Sequence, residues 1–572
     1  MKALHRFLPW IMLAFAIVYA GSRLVSTDLA DTEYDLRSFG QIPASSGGRT
    51  MPLDSVARNS LLAISARQSV RTRDGEISAI QWYIDLITDP PVTIHRNIFR
   101  IDHPDVVSML GLNEENRIRF SYAEIQPILG EINRQAILAD QTKAKARDPF
   151  QREVLTLYRR VMKFTNLSQL AEPYLVPPLT VSQEWRPLNS VLMSNPSDQD
   201  GLSLLYIFEA YSDKNPALFN SAVQEHTELV KHHLASEARK ARFEVVFNNA
   251  QPFYSASVLY ILAFLVGCFG LLVSQLSKPG WSTTLYRSML AFIAVAFVVQ
   301  TIGIASRMYL QGRPPVTNLY SSAVFIGWIS VMLGVFVDRR TKLGLGGIMA
   351  SVIGFGTLVI AHNLGGSGDT MEMMQAVLDS NFWLATHVIV VTIGYSATFL
   401  AGFLAIAYLM LGIFTPIFDR ERGASLSKMI YGVICFALIM SFIGTVLGGI
   451  WADQSWGRFW GWDPKENGAA MIVFMNLLIL HARWGGMIQD RGVAVLAVGG
   501  NIITAWSWFG TNMLGVGLHA YGFTESGIFW LAMFVLSQLI LIAIGLLPKK
   551  LWRSKFARAP RPKPLPDPAI SV

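Results

Sequence analysis

The chain contains 572 residues, of which 52% are hydrophobic and only 15% are charged, and its formal net charge is +8. This composition excludes an ordinary soluble protein, because several runs of about 20 apolar residues are long enough to cross a bilayer. The positive charge does not indicate nucleic-acid binding, since no basic patch is confined to a folded domain. The predicted spans are 7–24, 255–276, 286–305, 319–337, 345–362, 384–412, 430–449, 468–486, 493–513 and 527–547.

The first apolar run follows Lys2, His5 and Arg6, as a signal peptide would. No Ala-x-Ala cleavage site occurs near residue 25, so residues 1–25 are predicted to be an uncleaved membrane anchor. The fold class is therefore an all-α polytopic membrane protein with a bundle of about ten transmembrane helices.

Residues 26–250 are polar and separate the first span from the second, which predicts an extracytoplasmic, mostly helical domain. Helices are expected in Leu53–Arg67, Ser78–Thr88, Ala123–Ala146, Arg152–Phe164 and Ala217–Val246. Short strands are expected in Thr93–Ile101 and Arg117–Ser121. The histidines of this region, among them His226, are expected at its surface.

Basic residues in the loops between spans predict the orientation of the chain. They fall on one side if the N-terminus is cytoplasmic, as the positive-inside rule requires. These residues are Lys278, Arg287, Arg339, Arg340, Lys342, Arg420, Arg422, Lys428 and Arg491. The proline-rich, basic residues 551–572 then form a disordered cytoplasmic tail. Both termini are predicted to be cytoplasmic, and the polar domain faces outward.

The two cysteines, Cys268 and Cys435, each lie inside an apolar run and form no Cys-x-x-Cys motif. The predicted extracytoplasmic domain contains no cysteine. The chain therefore has no thiol of its own outside the membrane.

Residues 456–467 read WGRFWGWDPKEN and are the most informative segment of the chain. Trp456, Trp460 and Trp462 occur within seven residues and follow Trp451. An aromatic belt at the membrane interface is one explanation, but it needs neither the intervening glycines nor the following Asp-Pro-Lys-Glu. The alternative is a platform for a large planar ligand, because tryptophan is the best side chain for stacking.

Asp463 and Glu466 also fit a helix start, with Asp463 as N-cap, Pro464 at the first position and Glu466 at the third. Capping alone and ligand binding stay open for these two carboxylates. Arg458 and Lys465 could pair with carboxylates of a ligand.

Four histidines, His362, His387, His481 and His519, lie in or at the ends of predicted spans. Polar side chains there cost free energy and by default indicate a functional site, although a histidine that only packs and hydrogen-bonds is the alternative. His387 begins an apolar run, and His519 follows span 493–513. On the predicted topology both flank the tryptophan segment at the outer face.

The tryptophan segment resembles the WWD signature of haem-handling proteins, Trp-Gly-x-x-Trp-x-Trp-Asp-Pro-Lys-Glu, at every fixed position. Three further motifs follow the same family in order: FWLATHV from Phe382 running on to Tyr395, LHAR from Leu480, and LGVGLHAYG from Leu514. Residues 251–550, with the WWD segment at 451–467, are therefore identified as similar to the CcsA-type core of cytochrome c biogenesis proteins.

The resemblance implies that His387 and His519 are the axial ligands of an external haem b, bedded on Trp456, Trp460 and Trp462 beside Asp463. It also implies an internal haem site at His481, for which His5 is the candidate partner. Haem would be attached to the Cys-x-x-Cys-His of an apocytochrome c, so the protein would be a holocytochrome c synthase (haem lyase) or a subunit of one. The alternative is a haem exporter or chaperone that leaves attachment to a partner, and a plain multi-span transporter is a weaker third interpretation.

The opening of the polar domain, GGRTMPLDSVAR from Gly47 to Arg58, resembles the extracytoplasmic part of ResB-related fusions. The chain lacks the several N-terminal spans of ResB, so a separate ResB-like protein is an expected partner. Because the chain has no thiol of its own outside the membrane, a separate thiol reductant is a second expected partner. The expected location is the bacterial inner membrane.

Overall fold

The computed structural model describes residues 2–24, 33–72, 75–112, 117–143, 146–178, 184–275, 279–341, 344–374, 378–416, 418–514 and 525–554. The chain divides into two compact units. The membrane unit comprises Met1–Ala20, Pro252–His362 and Gln375–Val572, and the polar unit comprises Gly21–Gln251 and Asn363–Met374. The polar unit thus contains the predicted domain 26–250 and also a segment from between two membrane helices, which the sequence pattern did not reveal.

The first helix, α1, spans Lys2–Ser22. The polar unit then contains helices α2 (Leu36–Gly40), α3 (Leu53–Ser65), α4 (Ala79–Thr88), α5 (Pro90–Thr93), α6 (Pro104–Met109), α7 (Tyr122–Ile125), α8 (Leu129–Gln141), α9 (Pro149–Ser168), α10 (Leu188–Ser194), α11 (Gln199–Ser212), α12 (Pro216–His233) and α13 (Ala235–Ala250). Its strands are β1 (Pro43–Ser46), β2 (Arg49–Pro52), β3 (Ser69–Arg71), β4 (Glu76–Ser78), β5 (Phe99–Arg100), β6 (Arg119–Phe120), β7 (Tyr174–Val176) and β8 (Arg186–Pro187).

The expected helices of the polar unit are present, with shifted or divided bounds. Local capping explains several starts: Asp148 and Gln151 form a capping box at α9, and the Ser78 side chain accepts from the Gln81 amide at α4. The predicted helix 217–246 is divided at Leu234 into α12 and α13.

Both expected strand segments contain a strand, and they pair with each other. Phe99 lies opposite Phe120 in the antiparallel pair of β5 and β6. The larger sheet, with strand order β2-β1-β7-β8, was not predicted. Its hairpin pairs Pro43 with Pro52 and Ser46 with Arg49, and prolines at the ends of both strands weaken the sequence signal.

The membrane unit contains α14 (Pro252–Gln275), α15 (Pro279–Gln311), α16 (Leu319–Thr341), α17 (Leu345–Leu364), α18 (Asn381–Trp383), α19 (Ile389–Phe414), α20 (Arg420–Trp456), α21 (Pro464–Trp484), α22 (Asp490–Ala505), α23 (Thr511–Met513) and α24 (Glu525–Gly545). Two π-helical turns, Leu384–Val388 and Trp506–Gly510, join α18 to α19 and α22 to α23. Such turns are frequent at functional sites.

Among the described residues, eight helical stretches are long and apolar enough to cross a membrane. They coincide largely with α14, α15, α16, α17, α19, α20, α22 and α24. The other two predicted spans are helices too: the described side chains of α1, Arg6–Ser22, form a shorter apolar helix, and α21 is not among the eight. The all-α polytopic fold class is confirmed.

In the stretch that contains α19, 72% of an apolar 18-residue segment is buried inside the protein, whereas the corresponding share for α24 is 6%. Helix α19 is therefore central to the bundle. Small residues let its neighbours come close. A Cβ built on Gly394 would lie 2.8 Å from the backbone nitrogen of Ser441 in α20, and Gly402 is covered by the amide of Asn501 in α22. The first half of α16 packs beside the first half of α19, where Phe325 and Ile329 meet Val388. The starts of α16 and α19 therefore lie at one end of the bundle.

Candidate functional site

His387 lies in the π-helical turn that leads into α19. Its Nδ1 atom is 2.8 Å from the carbonyl oxygen of Gly444 in α20. A carbonyl can only accept, so Nδ1 carries the proton and donates it. In the neutral ring Nε2 then bears the lone pair, and this is the tautomer that a metal ligand requires.

Two consecutive glycines of α20 make room for this ring and for the tryptophan loop. A Cβ on Gly448 would lie 2.6 Å from Cε1 of His387, and one on Gly449 would lie 2.5 Å from Cζ of Phe459. The imidazole and the phenyl ring are therefore seated directly on the backbone of one helix. Phe459 belongs to the loop after α20, so this contact folds the loop back toward His387.

Aromatic side chains surround the histidine. The Trp383 ring is nearly parallel to that of Trp451, at 12° and 6.3 Å between centroids, and its Nε1 donates to Oε1 of Gln454 at 3.0 Å. The ring centroids of His387 and Trp451 are 5.8 Å apart. His387 therefore lies beside Trp451, which precedes the tryptophan segment, and its proximity to Trp456, Trp460 and Trp462 stays a prediction.

The three tryptophans of the WWD motif differ in exposure. Trp456 is the last residue of α20 and is half-buried. Gly457 ends the helix with a φ of +66°, which glycine adopts without strain. Trp460 and Trp462 then meet edge to face at 6.1 Å, and 76% of Trp462 is exposed. A tryptophan this exposed is costly in water and offers a flat apolar surface.

The loop ends in the predicted capping box at the start of α21. Asp463 accepts from the Lys465 amide at 2.8 Å, and Glu466 accepts from the Asp463 amide at 3.1 Å and the Gly461 amide at 2.8 Å. Pro464 occupies the first helical position, as expected. The capping role of Asp463 and Glu466 is confirmed, whereas a role in ligand binding stays a prediction.

The two basic residues of the segment contact the protein itself. Lys465 Nζ donates to the carbonyl oxygen of Trp508 at 2.9 Å, which joins the start of α21 to the second π-helical turn. The Arg458 guanidinium lies against the backbone of Gly461 and 3.9 Å from Glu466. Neither contact was anticipated from the sequence, where both side chains were considered for ligand carboxylates.

His519 falls in 515–524, outside the described residues, so its predicted pairing with His387 stays a prediction. The segment that precedes it is tied to the same end of the bundle. Trp508 Nε1 donates to Ser322 Oγ near the start of α16, and Tyr395 and Ser507 share a hydrogen bond of 2.7 Å.

His481 lies near the opposite end of α21, about 24 Å along the helix axis from Lys465 at a rise of ~1.5 Å per residue. Its side chain is exposed, and its ring centroid is 6.2 Å from that of Trp484, which donates to the Tyr431 hydroxyl. His5 lies on α1, but its side chain is outside what the structure describes. A pairing of His481 with His5 stays a prediction.

Two features were missed or misplaced from the sequence. Arg307 was not selected because it lies just beyond a predicted span, yet only 4% of it is exposed and its guanidinium stacks on Tyr320 at 4.7 Å. The signal available in the sequence was a charged residue at the end of an apolar run, because a charge in a membrane helix by default indicates a function. The expectation that His226 lies at the surface is wrong, because the residue is fully buried within α12.

The GGRTMPLDSVAR motif contributes Arg49 to a partly buried ion cluster in the polar unit. Arg49 donates two hydrogen bonds of 2.9 Å to Glu244 and two, at 2.6 and 3.1 Å, to Asp369. Ser55 adds a hydrogen bond of 2.6 Å to Glu244. Arg49 thereby joins β2 to α13 and to the segment Asn363–Met374.

Comparisons with known proteins find relatives of this chain. Residues 316–519 match the model of the family described as cytochrome C assembly protein. The cytochrome c biogenesis protein CcsA of Synechococcus sp. (strain CC9902) is 27% identical over 311 residues, which cover 49% of this chain and 98% of that protein. CcsA of Synechococcus sp. (strain CC9605) is 28% identical over 305 residues, covering 47% of this chain and 95% of that protein.

A third relative extends the similarity toward the N-terminus. Protein NrfI of Wolinella succinogenes is 26% identical over 503 residues, which cover 85% of this chain and 54% of NrfI. A match of that length includes much of the polar unit as well as the membrane unit. Residues 316–519 thus match the cytochrome C assembly protein family, and the chain is similar to CcsA-type cytochrome c biogenesis proteins.

Proposed function

We propose that this protein binds haem b as its substrate at the His387 end of the bundle and presents it for covalent attachment to apocytochrome c. The observation that carries the proposal is the hydrogen bond from His387 Nδ1 to Gly444, because it fixes the imidazole tautomer that an iron ligand needs. His519 is proposed as the second axial ligand.

The aromatic loop supports the same assignment. The exposed face of Trp462, set edge to face with Trp460, offers an apolar surface for a porphyrin. Trp451 lies beside His387, and Trp383 stacks on Trp451. Trp456 and Asp463 bound the loop on either side, so their proposed contribution is to hold it in place.

Thioether formation adds a cysteine S–H across a vinyl C=C, so that one C–S and one C–H bond form with no net oxidation. Such a step needs the vinyl groups and the thiols held together in a suitable geometry, which a rigid binding site provides. We therefore assign this chain a positioning role, as a holocytochrome c synthase or a subunit of one. The apocytochrome cysteines must be reduced first, and a separate thiol reductant is proposed for that step.

The proposed orientation follows the basic loops: both termini face the cytoplasm, and the tryptophan segment and the polar unit face outward across the bacterial inner membrane. Reporter fusions at Ser367 and Gln454 should be active only in the external compartment. A cytoplasmic signal at Gln454 would contradict the external haem site. A separate ResB-like membrane partner and an internal haem site at His481 with His5 remain part of the proposal.

The deciding experiment compares a deletion strain with strains that carry His387→Ala, His519→Ala or the control His95→Ala. Haem staining of denaturing gels, with an immunoblot for the apoprotein, should show exported apocytochrome without covalent haem in the deletion and in both site variants. Added imidazole should partly restore haem to the purified site variants. The control should behave as wild type.

Normal covalent cytochromes in the deletion strain would contradict the proposal. The haem exporter or chaperone interpretation gives a different result. Purified protein with bound haem would then fail to attach it to a reduced apocytochrome unless a second protein were added.

A further inference from the structure

The polar unit contains a cleft of about 840 Å³, within the range of ligand sites in proteins. Its walls come from separate parts of the chain: the hairpin of β1 and β2, helix α3, the region from Lys163 to Tyr174, the pair Glu184–Trp185, and the segment Gly368–Glu372. None of these residues takes part in the proposed haem site.

The cleft is acidic. Four carboxylates, Glu172, Glu184, Asp369 and Glu372, line it together with one basic residue, Lys163. Lys163 pairs with Glu172 at 3.2 Å. Asp369 is likewise paired with Arg49, so Glu184 and Glu372 are the two lining carboxylates for which the described residues show no ion pair.

The carboxylates on one wall repel each other. Burial, and secondly the charge of Asp369, raise the pKa of Glu372 above its ordinary value. A cation entering the cleft would relieve this repulsion, so the site favours a positively charged ligand.

The wall that bears Asp369 and Glu372 is firmly held. Arg49 binds Asp369 through two hydrogen bonds and is itself anchored on Glu244, and Asp369 also accepts from the Met371 amide at 3.0 Å. A site whose charged wall is fixed in advance loses less entropy when a ligand binds.

The remaining lining suits an extended polypeptide. Trp185 and Tyr174 supply aromatic surface, and 43% of Tyr174 is exposed. Ser45, Ser46 and Asn59 supply donors and acceptors that an extended backbone can use. Gly47, at the turn of the hairpin, has open space where a side chain would be.

We propose that this cleft binds a basic, extended segment of the polypeptide substrate, with lysine or arginine side chains directed to Glu184 and Glu372 and the backbone along the β1–β2 hairpin. The identity of that polypeptide as the apocytochrome rests on the proposed function, whereas the preference for a basic segment rests on the cleft alone.

The test measures binding of a fluorescent lysine-rich decapeptide to the full-length protein in nanodiscs by fluorescence anisotropy. The double variant Glu184→Gln/Glu372→Gln should raise Kd about five-fold or more, because two favourable charge pairs are lost. Trp185→Ala should also weaken binding. The matched control is Glu209→Gln/Glu225→Gln, which removes two exposed charges of the same unit outside the cleft and should leave Kd nearly unchanged.

Salt should weaken binding to the wild type more than to the cleft variant, since exposed charge pairs are screened. Equal affinity for a decapeptide with glutamate in place of lysine, or equal Kd for the cleft and control variants, would overturn the proposal. His387→Ala should bind the peptide normally. If the wild type bound the peptide but attached no haem to apocytochrome, only the proposed function would be contradicted. If haem attachment were normal but the cleft variant left Kd unchanged, only the proposed peptide site would be contradicted.

Discussion

The Nδ1 atom of His387 lies 2.8 Å from the carbonyl oxygen of Gly444, and the same helix presents Gly448 to the edge of the imidazole. One side of the ring is thus fixed by a hydrogen bond and another by close packing. The position of the predicted ligand depends on the absence of a side chain at residue 448.

Gly448→Ala should therefore impair haem binding without removing the histidine. The new Cβ would lie 2.6 Å from Cε1 of His387, so the ring must move and the bond to Gly444 must lengthen. Absorption spectra of the purified protein should show lower haem content and altered ligation. Gly432→Ala is the control in the same helix, because a Cβ there meets nothing within 4 Å. Equal haem content in both variants would show that the imidazole position does not matter.

Trp462 combines high exposure with a left-handed backbone, at a φ of +57°. Trp462→Gly should relieve about 1 kcal/mol of backbone strain and yet lower haem retention, because the stacking surface is lost. Trp462→Ala should also lower haem retention, but it should not relieve the backbone strain, because alanine does not adopt a positive φ as readily as glycine does. Trp10→Ala, which removes an exposed tryptophan from α1, is the control. Full haem occupancy in both Trp462 variants would favour the aromatic-belt explanation.

Asp463 provides a test of capping against ligand binding. Asp463→Ala should cost about 1 kcal/mol at the start of α21 and raise hydrogen exchange at the Lys465 amide, since the acceptor is lost. Asp463→Asn keeps an acceptor and should retain both protection and haem. If Asp463→Asn lost haem as completely as Asp463→Ala while α21 stayed protected, the negative charge itself would be required.

The sequence was informative where a function imposes a local pattern. The capping box at Asp463 followed from local spacing. The contacts of Arg49 with Glu244 and Asp369 could not be predicted, because these residues are 195 and 320 positions away along the chain. The contact of Lys465 with Trp508 escaped the sequence for a similar reason, since Trp508 belongs to another helix, and a pairing of Lys465 with ligand carboxylates stays a prediction. A helix cap leaves a local signal in the sequence and an amphipathic face leaves a periodic one. Long-range polar contacts leave neither.

Arg49→Met should destabilise the polar unit by about 3–5 kcal/mol, because Glu244 would remain as a buried carboxylate and Asp369 as a partly buried one, both without their cation. Hydrogen exchange should increase in 363–374 and in α13. Arg49→Lys should recover part of the protection, since it keeps the charge but not the paired geometry. Arg134→Met, which removes an exposed partner of Glu131, should change little. Unchanged exchange in 363–374 for Arg49→Met would contradict this account.

His226 should make the polar unit sensitive to acid. Its Nδ1 lies 2.7 Å from Ser203 Oγ, which donates its own proton to the Asp200 carbonyl, so Nδ1 is the donor, and the buried Nε2 has no hydrogen-bond partner among the described residues. Burial lowers the pKa of His226 to about 4. Because the folded pKa is below the unfolded value of about 6.5, the unfolded chain binds more protons. Stability is then full above pH 6.5 and decreases as the pH falls toward 4, by up to about 3 kcal/mol.

Hydrogen-exchange protection of α12 in the full-length protein, corrected for the pH dependence of intrinsic exchange, measures this effect between pH 7.5 and pH 5. Protection should fall with acid in the wild type and less steeply in His226→Gln, which has no imidazole to protonate. His232→Gln, at the exposed end of the same helix, should follow the wild type because it leaves His226 in place. Equal acid sensitivity of wild type and His226→Gln would place the acid response in another group.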